Sequence, residues 1–284
     1  MRAAILKSVL GAFDTVNYKK VLGYRPTFLV FRISGISLSL IFGSLLLLFN
    51  PLDSVTFNFV IILFLVAGLN LVRYATNQYA YSREKISVLT PYSGIGSVFS
   101  IIGAFIIFSN VSLISFFIAI LIILLSVGSN VNFKQLDFNK TILVFIGGQI
   151  FGAISSLILA DMITSSISEI SFFIYIRIIY LIILVVMFLI LRESISKFKM
   201  GGEFYFHRTL GTINGIFRSL LELYLIKNLG LVLSTILGFL ETVTTLILSY
   251  FVFGDRPKNK DIILTIIITI LVFLGFYFKD YGLS

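Results

Sequence analysis

The chain has 284 residues, of which 58% are apolar and 12% charged, and its mean hydropathy is +1.06. Soluble domains carry roughly 25% charged residues, and one of this length has no interior large enough for so much hydrocarbon, so a soluble globular protein is excluded. The absence of cysteine excludes disulfides, thiolate metal sites and cysteine catalysis, and a lone histidine, His207, argues against a histidine-built metal centre.

The net charge of +9 does not point to nucleic acid. Basic residues lie mostly in short connections between apolar runs, where lipid headgroups and topology account for them. No basic groove interleaved with stacking aromatics appears. The apolar runs are too long for barrel strands and lack alternation, so they predict an all-α integral membrane protein. In chain order the predicted spans are 3–18, 26–49, 57–81, 86–108, 111–129, 141–160, 170–191, 208–226, 229–253 and 262–278. In the first, Lys7, Gly11, Asp14 and Tyr18 recur every three to four residues and share one face, which lines water or packs on other helices. The charges inside this span, with no small-residue cleavage site after it, argue against a cleavable signal peptide. Pro26, Pro51 and Pro257 fall at or outside helix ends, and Pro91 in the first turns of the fourth span.

Sliding the chain on itself by 145 residues reveals a duplication. Arg32 falls on Arg177, Arg73 on Arg218, Tyr79 on Tyr224, Thr90 on Thr235 and Val98 on Val243. Asn110 falls on Asp255, and Gly11-Ala12 matches Gly152-Ala153 with a small gap. Five spans per copy is an odd number, so the second copy enters the bilayer upside down. Inverted repeats are the usual basis of alternating access around one site near the midplane. The expected organisation is a five-helix repeat over 1–130, a linker over 131–140 and a second five-helix repeat over 141–284. The plainer reading is a scaffold enlarged by duplication.

This pattern resembles the drug/metabolite transporter superfamily, and within it the EamA-like members. Phe253-Gly254-Asp255-Arg256-Pro257 sits where the family's second repeat has a small residue plus Glu, with Asp in its place. Phe108-Ser109-Asn110-Val111 sits at the matching point of the first repeat, with Asn there. Arg32 and Arg177 follow aromatic-rich starts of the second helix of each repeat, as often in the family. Glu241-Thr242 stands where many members have Glu-Pro. The resemblance implies ten helices in two repeats and transport of a small metabolite, without naming the cargo. The expected location is the cytoplasmic membrane of a prokaryote.

Polar side chains inside spans mark the expected site, because a charge at mid-bilayer costs about 2.5–3.5 kcal/mol on insertion scales. The eighth span has the stripe His207, Gly211, Asn214, Arg218 and Glu222, and Arg218 and Glu222 are spaced to pair. The third span repeats the theme with Asn70, Arg73 and Asn77. These two helices are expected to face each other across a substrate cavity, or the pair is glue between helices. Glu241 lies mid-span with Thr244 and Thr245 on its face. Unpaired, it would be largely protonated there. It binds a substrate amine or cycles a proton, or it neutralises a membrane arginine. The first and sixth spans add Asp14, Asn17, Gln149, Ser155 and Ser156, and Gly148 with Gly152 predicts close helix packing. The expected substrate-binding set is Asp14, Arg73, Asn77, Gln149, Asn214, Arg218, Glu222 and Glu241.

No nucleophile–base pair, phosphate loop or ATP motif is present, so no enzyme activity and no cofactor are expected. The leading reading is a secondary transporter for an amino acid or related zwitterion, driven by a coupling proton or sodium ion, by exchange or by facilitated movement. The alternative is a flippase for a phosphate-bearing lipid or isoprenoid carrier, for which intramembrane arginines are suited. An integral membrane enzyme is the third. Lys and Arg, Arg208 among them, concentrate in connections after odd-numbered spans. The positive-inside rule then puts both termini outside, whereas family members more often have them inside.

Overall fold

The computed structural model describes residues 2–84, 86–108, 113–130, 140–164 and 167–253, with scattered helical residues between 263 and 277. Among them there is no strand. The helices are α1 (Arg2–Leu22), α2 (Phe28–Ser44), α3 (Phe57–Arg83), α4 (Ile86–Ile107), α5 (Leu113–Asn130), α6 (Lys140–Thr164), α7 (Glu169–Ile190) and α8 (Gly202–Phe253), with short 3₁₀ turns at Leu45–Leu48 and Ile195–Phe198.

Local chemistry sets the helix starts. Thr27, Thr56 and Ser168 precede α2, α3 and α7 in extended backbone, and each side-chain oxygen accepts a backbone N–H three residues on. The eighth and ninth predicted spans form one long element, α8, broken at Gly230, whose φ of 77° and ψ of 167° no L-residue adopts comfortably. The break separates a first arm, 202–229, from a second, 231–253. Each of the first nine predicted spans overlays a described helix or arm. The differences lie at ends that tertiary contacts extend. α8 starts at 202 rather than 208 because Phe204 is buried against Val21 and Phe31. α1 runs past residue 18 because Lys19 donates to the carbonyls of Tyr81 and Glu84. The tenth span falls largely outside the described residues, as do Asn110, Asp255, the residues flanking them at 109–111 and 254–257, and the linker over 131–139.

Five described segments are long and apolar enough to cross a membrane: Phe28–Leu48, Phe57–Arg83, Lys140–Ile163, Glu169–Ile190 and Gly202–Glu241, the last running through the Gly230 break. Large side chains such as Phe49, Phe57, Ile106 and Phe251 stand more than three-quarters exposed. In water such a surface would aggregate; in a bilayer it is solvated by acyl chains. The protein is a multi-pass helical membrane protein.

Two apolar clusters flank a polar centre. One joins α2, α3 and α7 through Ile36, Leu63, Phe172, Phe173 and Leu184. The other joins α4, α5 and the second arm of α8 through Ile101, Ile122 and Ile236. α1 packs along α8, and α3 along α6, more extensively than any other described pair. Glycines permit that closeness. A Cβ on Gly148 would strike Thr76, and one on Gly152 would strike Arg73, which accounts for the small-xxx-small spacing.

Candidate functional site

Between the two clusters lies a cavity of about 490 Å³, walled by helices from both halves of the chain. That is a volume suited to a small molecule. Along α1 it reaches from Lys7 to Tyr18, about 16 Å at 1.5 Å per residue.

Seven of the eight expected residues line it: Asp14, Arg73, Asn77, Gln149, Arg218, Glu222 and Glu241. Asn214 does not. It is buried and donates to the Leu10 carbonyl at 2.6 Å, tying α8 to α1. Steps of three and four residues trace a broad stripe, and the cavity side of α8 centres on Gly211, Gly215, Ser219 and Glu222. Gly215, about 100° further round the helix than Asn214, faces the cavity in its place. Asn17, donating to the His207 carbonyl, and Asn70, donating to Ser155, also serve helix packing rather than the cavity wall.

The charge pairing differs from the expected one. Arg218 does not pair with Glu222. Its Nη2 donates to both carboxylate oxygens of Glu241, at 2.9 and 3.0 Å, and its Nη1 donates to Asp14 Oδ2 at 3.3 Å. Glu222, 47% exposed, meets Lys7 Nζ at 3.6 Å instead. The helical neighbour is outcompeted because the Gly230 break folds the second arm of α8 back onto the first, and α1 closes the other side. Glu241 is therefore not the unpaired carboxylate that its sequence position suggests. It fits against Gly11, where a Cβ would collide with its carboxyl group. Thr245 lines the cavity beside it, while the Thr244 hydroxyl donates to the Leu240 carbonyl.

On the other side, Gln149 Nε2 donates to Asn77 Oδ1 at 2.9 Å, joining α6 to α3. Arg73 lies against Gly152 with its Nε buried and without a hydrogen-bond partner among the described residues. Arg32 spreads over the Tyr74 ring, 4.2 Å from its centroid. Arg177 donates to Ser219 Oγ at 3.2 Å.

Sequence reasoning missed Arg208. Counted with the connection before the eighth span, it instead projects into the cavity, stacks 4.1 Å over the Phe31 ring and donates from Nε to the Phe31 carbonyl. A Cβ on Gly35 would overlap its guanidinium. The available signal was Phe204 and Tyr205, whose aromatic character extends the apolar run upstream of residue 208. Tyr18, Tyr74, Arg32 and Arg177 also line the cavity, and the duplication had marked both of these arginines without assigning them to the site. Among the described residues no cluster of His, Asp and Glu forms a metal site.

No family model matches the chain, and no curated protein matches it. A solved structure described as "Crystal structure of protein" is similar, with a TM-score of 0.67 and 11% sequence identity over 96% of this chain and 93% of that one. At that identity the likeness is one of fold.

Proposed function

We propose that the protein is a secondary transporter of the drug/metabolite, EamA-like type, with ten helices in two inverted repeats, moving a small polar metabolite by alternating access in the cytoplasmic membrane of a prokaryote. The observation that carries this reading is a polar cavity at the junction of the two halves whose contacts recur under the 145-residue shift. Arg32 stacks on Tyr74. The shifted residues are Arg177 and Ser219, and Arg177 donates to Ser219. Asn77 bonds Gln149 across the α3–α6 seam; its shifted partner Glu222 meets Lys7 across the α8–α1 seam. α2 meets α8 as α3 meets α7, and α2 faces α7. A scaffold built by duplication has no need to keep such contacts polar. Two quasi-equivalent halves around one chamber can exchange roles, so that the face open in one half closes as the other opens.

The zwitterion reading needs a carboxylate free to take an amine. Asp14 and Glu241 are held by Arg218, and Glu222 meets Lys7. The cargo's cationic group must displace an internal cation, or the cargo has none. The second reading, a flippase for a phosphate-bearing lipid or isoprenoid carrier, draws on the cavity arginines that meet no carboxylate among the described residues.

Reconstitution in liposomes with a mixed metabolite pool tests the proposal. Solute should enter faster than into empty vesicles under a proton or sodium gradient. Flux equal to that of empty vesicles under both gradients rejects it.

A further inference from the structure

We infer that the cavity binds a phosphoryl group, held by guanidinium groups of α2, α3, α7 and the first arm of α8; this deepens the transport reading by naming the chemistry of the cargo.

The cavity wall carries six cations, Lys7, Arg32, Arg73, Arg177, Arg208 and Arg218, and three carboxylates, Asp14, Glu222 and Glu241. The carboxylates are spent on two of the cations: Arg218 takes Asp14 and Glu241, and Lys7 takes Glu222. Among the described residues no carboxylate oxygen lies within 4.0 Å of Arg32, Arg73, Arg177 or Arg208. Arginine does not escape by losing its proton in a protein. The four guanidinium groups are partly exposed to the cavity, where water screens them only in part, so this excess of positive charge favours an anion brought from outside.

Three of these arginines are joined through aromatic rings. Arg208 and Arg32 stack on Phe31, with Cζ 4.1 and 5.1 Å from its centroid. Arg32 also lies over Tyr74, whose ring packs 6.1 Å from that of Tyr180, and Arg177 lies 5.8 Å from Tyr180. The rings hold the guanidinium planes without neutralising them, which leaves N–H groups free to donate. Among the described residues the Nε atoms of Arg32, Arg73 and Arg177, and that of Arg218 as well, are buried donors with no partner.

The duplication sharpens the point. Arg73 and Arg218 correspond, yet among the described residues carboxylates meet Arg218 and none meets Arg73. The 145-residue shift puts Gly96 where Glu241 stands, and the register that matches Gly11 with Gly152 puts Ser155 where Asp14 stands. The paired cations, Lys7 and Arg218, come one from each half, and so do the others: Arg32 and Arg73 from the first, Arg177 and Arg208 from the second.

A monocarboxylate brings one negative charge and two oxygens in one plane. A phosphate monoester brings about −1.5 to −2 and three acceptor oxygens. Donors converging from several helices match the tetrahedral group better.

The test is a binding measurement, so its outcome is independent of whether flux is detected. The purified full chain in detergent is titrated with inorganic phosphate, glycerol 3-phosphate and dioctanoyl phosphatidic acid. Succinate, alanine and sodium chloride at matched ionic strength serve as comparisons. At least one phosphoryl compound should raise the melting temperature in a saturable way that the comparisons do not reproduce. The one that displaces the others at the lowest concentration distinguishes a free phosphate, a soluble ester and a lipid headgroup. Arg208→Gln should weaken that binding about tenfold or more, and Arg177→Gln serves the same purpose if the first variant does not fold. Equal stabilisation by succinate, alanine or sodium chloride overturns the inference, as does unchanged phosphoryl affinity in a folded variant.

Discussion

Arg218 and Glu241 sit on opposite sides of the Gly230 break, yet their side chains meet at 2.9 Å. With Asp14 at 3.3 Å on the other side, one guanidinium ties together α1 and both arms of α8. The three side chains are 20–32% exposed, so water from the cavity reaches them and the full cost of a dry ion pair does not apply. Arg218→Gln leaves two carboxylates facing each other and should cost about 1–3 kcal/mol of stability. Glu241→Gln should cost less, since Asp14 remains on Arg218. The double variant should lose measurably less than the sum of the singles, because the residues form one network. Strict additivity in thermal or denaturant melts would show that the three side chains act independently.

Gly230 makes this pairing possible by reversing the chain direction between the arms. Its φ of 77° with ψ of 167° belongs to a region populated almost only by glycine. Gly230→Ala should therefore destabilise by about 1–3 kcal/mol even though a Cβ there meets open space. Gly68→Ala is the control. Gly68 is helical with normal φ and equally open surroundings, so that substitution should be neutral or mildly stabilising. Equal effects at the two glycines would mean that backbone strain is not what fixes the break.

The apolar runs were sufficient to locate the described helices, because hydrophobic length is a one-dimensional property. The 145-residue match of Arg32 with Arg177 and Arg73 with Arg218 was legible for the same reason, since arginines stand out in apolar surroundings. The pairing of charges was not legible. Arg218 and Glu222 have the right spacing, and only the fold reveals that Asp14 and Glu241 arrive from 204 and 23 residues away to take the guanidinium first. Asn214 was misread because spacings of three and four residues do not fix a helix face to better than about one position. Arg208 was misread because a boundary drawn by hydropathy stops at the first charge, while the helix continues through Phe204.

At the end of the molecule where α2 runs into α3 and α6 into α7, Asp53 holds two connections together. Its carboxylate accepts the Ser168 N–H at 2.7 Å, and its own N–H donates to Ser171 Oγ at 2.9 Å. The hydrogen bonds from Ser168, and then from Ser171, hold its carboxyl below the usual value. A depressed carboxyl stabilises the fold at pH above its unfolded value of about 3.9 and loses that contribution as pH falls through the lower folded value. Thermal stability should thus decline below about pH 4, and Asp53→Asn should flatten that decline while lowering stability at neutral pH. A wild-type acid limb that Asp53→Asn leaves unchanged would assign acid sensitivity to other carboxylates.

The two ends of the molecule also differ in charge, and contacts now define which residues share an end. Lys19 bonds the carbonyls of Tyr81 and Glu84, and Tyr24 donates to Glu203. Those contacts gather Lys19, Lys20, Arg25, Arg83, Lys197 and Lys199 at one face. At the opposite face, Lys227 pairs with Glu169 near Asp53. Withdrawing Arg208 from the count, since it lies in the cavity wall, leaves this asymmetry intact. Positive residues are retained on the cytoplasmic side during insertion, so the lysine- and arginine-rich face should be cytoplasmic. A reporter active only in the cytoplasm should then be active when inserted at Lys197 and silent when fused after Ser284. The reverse pattern would place the Lys19 face outside, and would mean that the charge of the connections does not set the orientation.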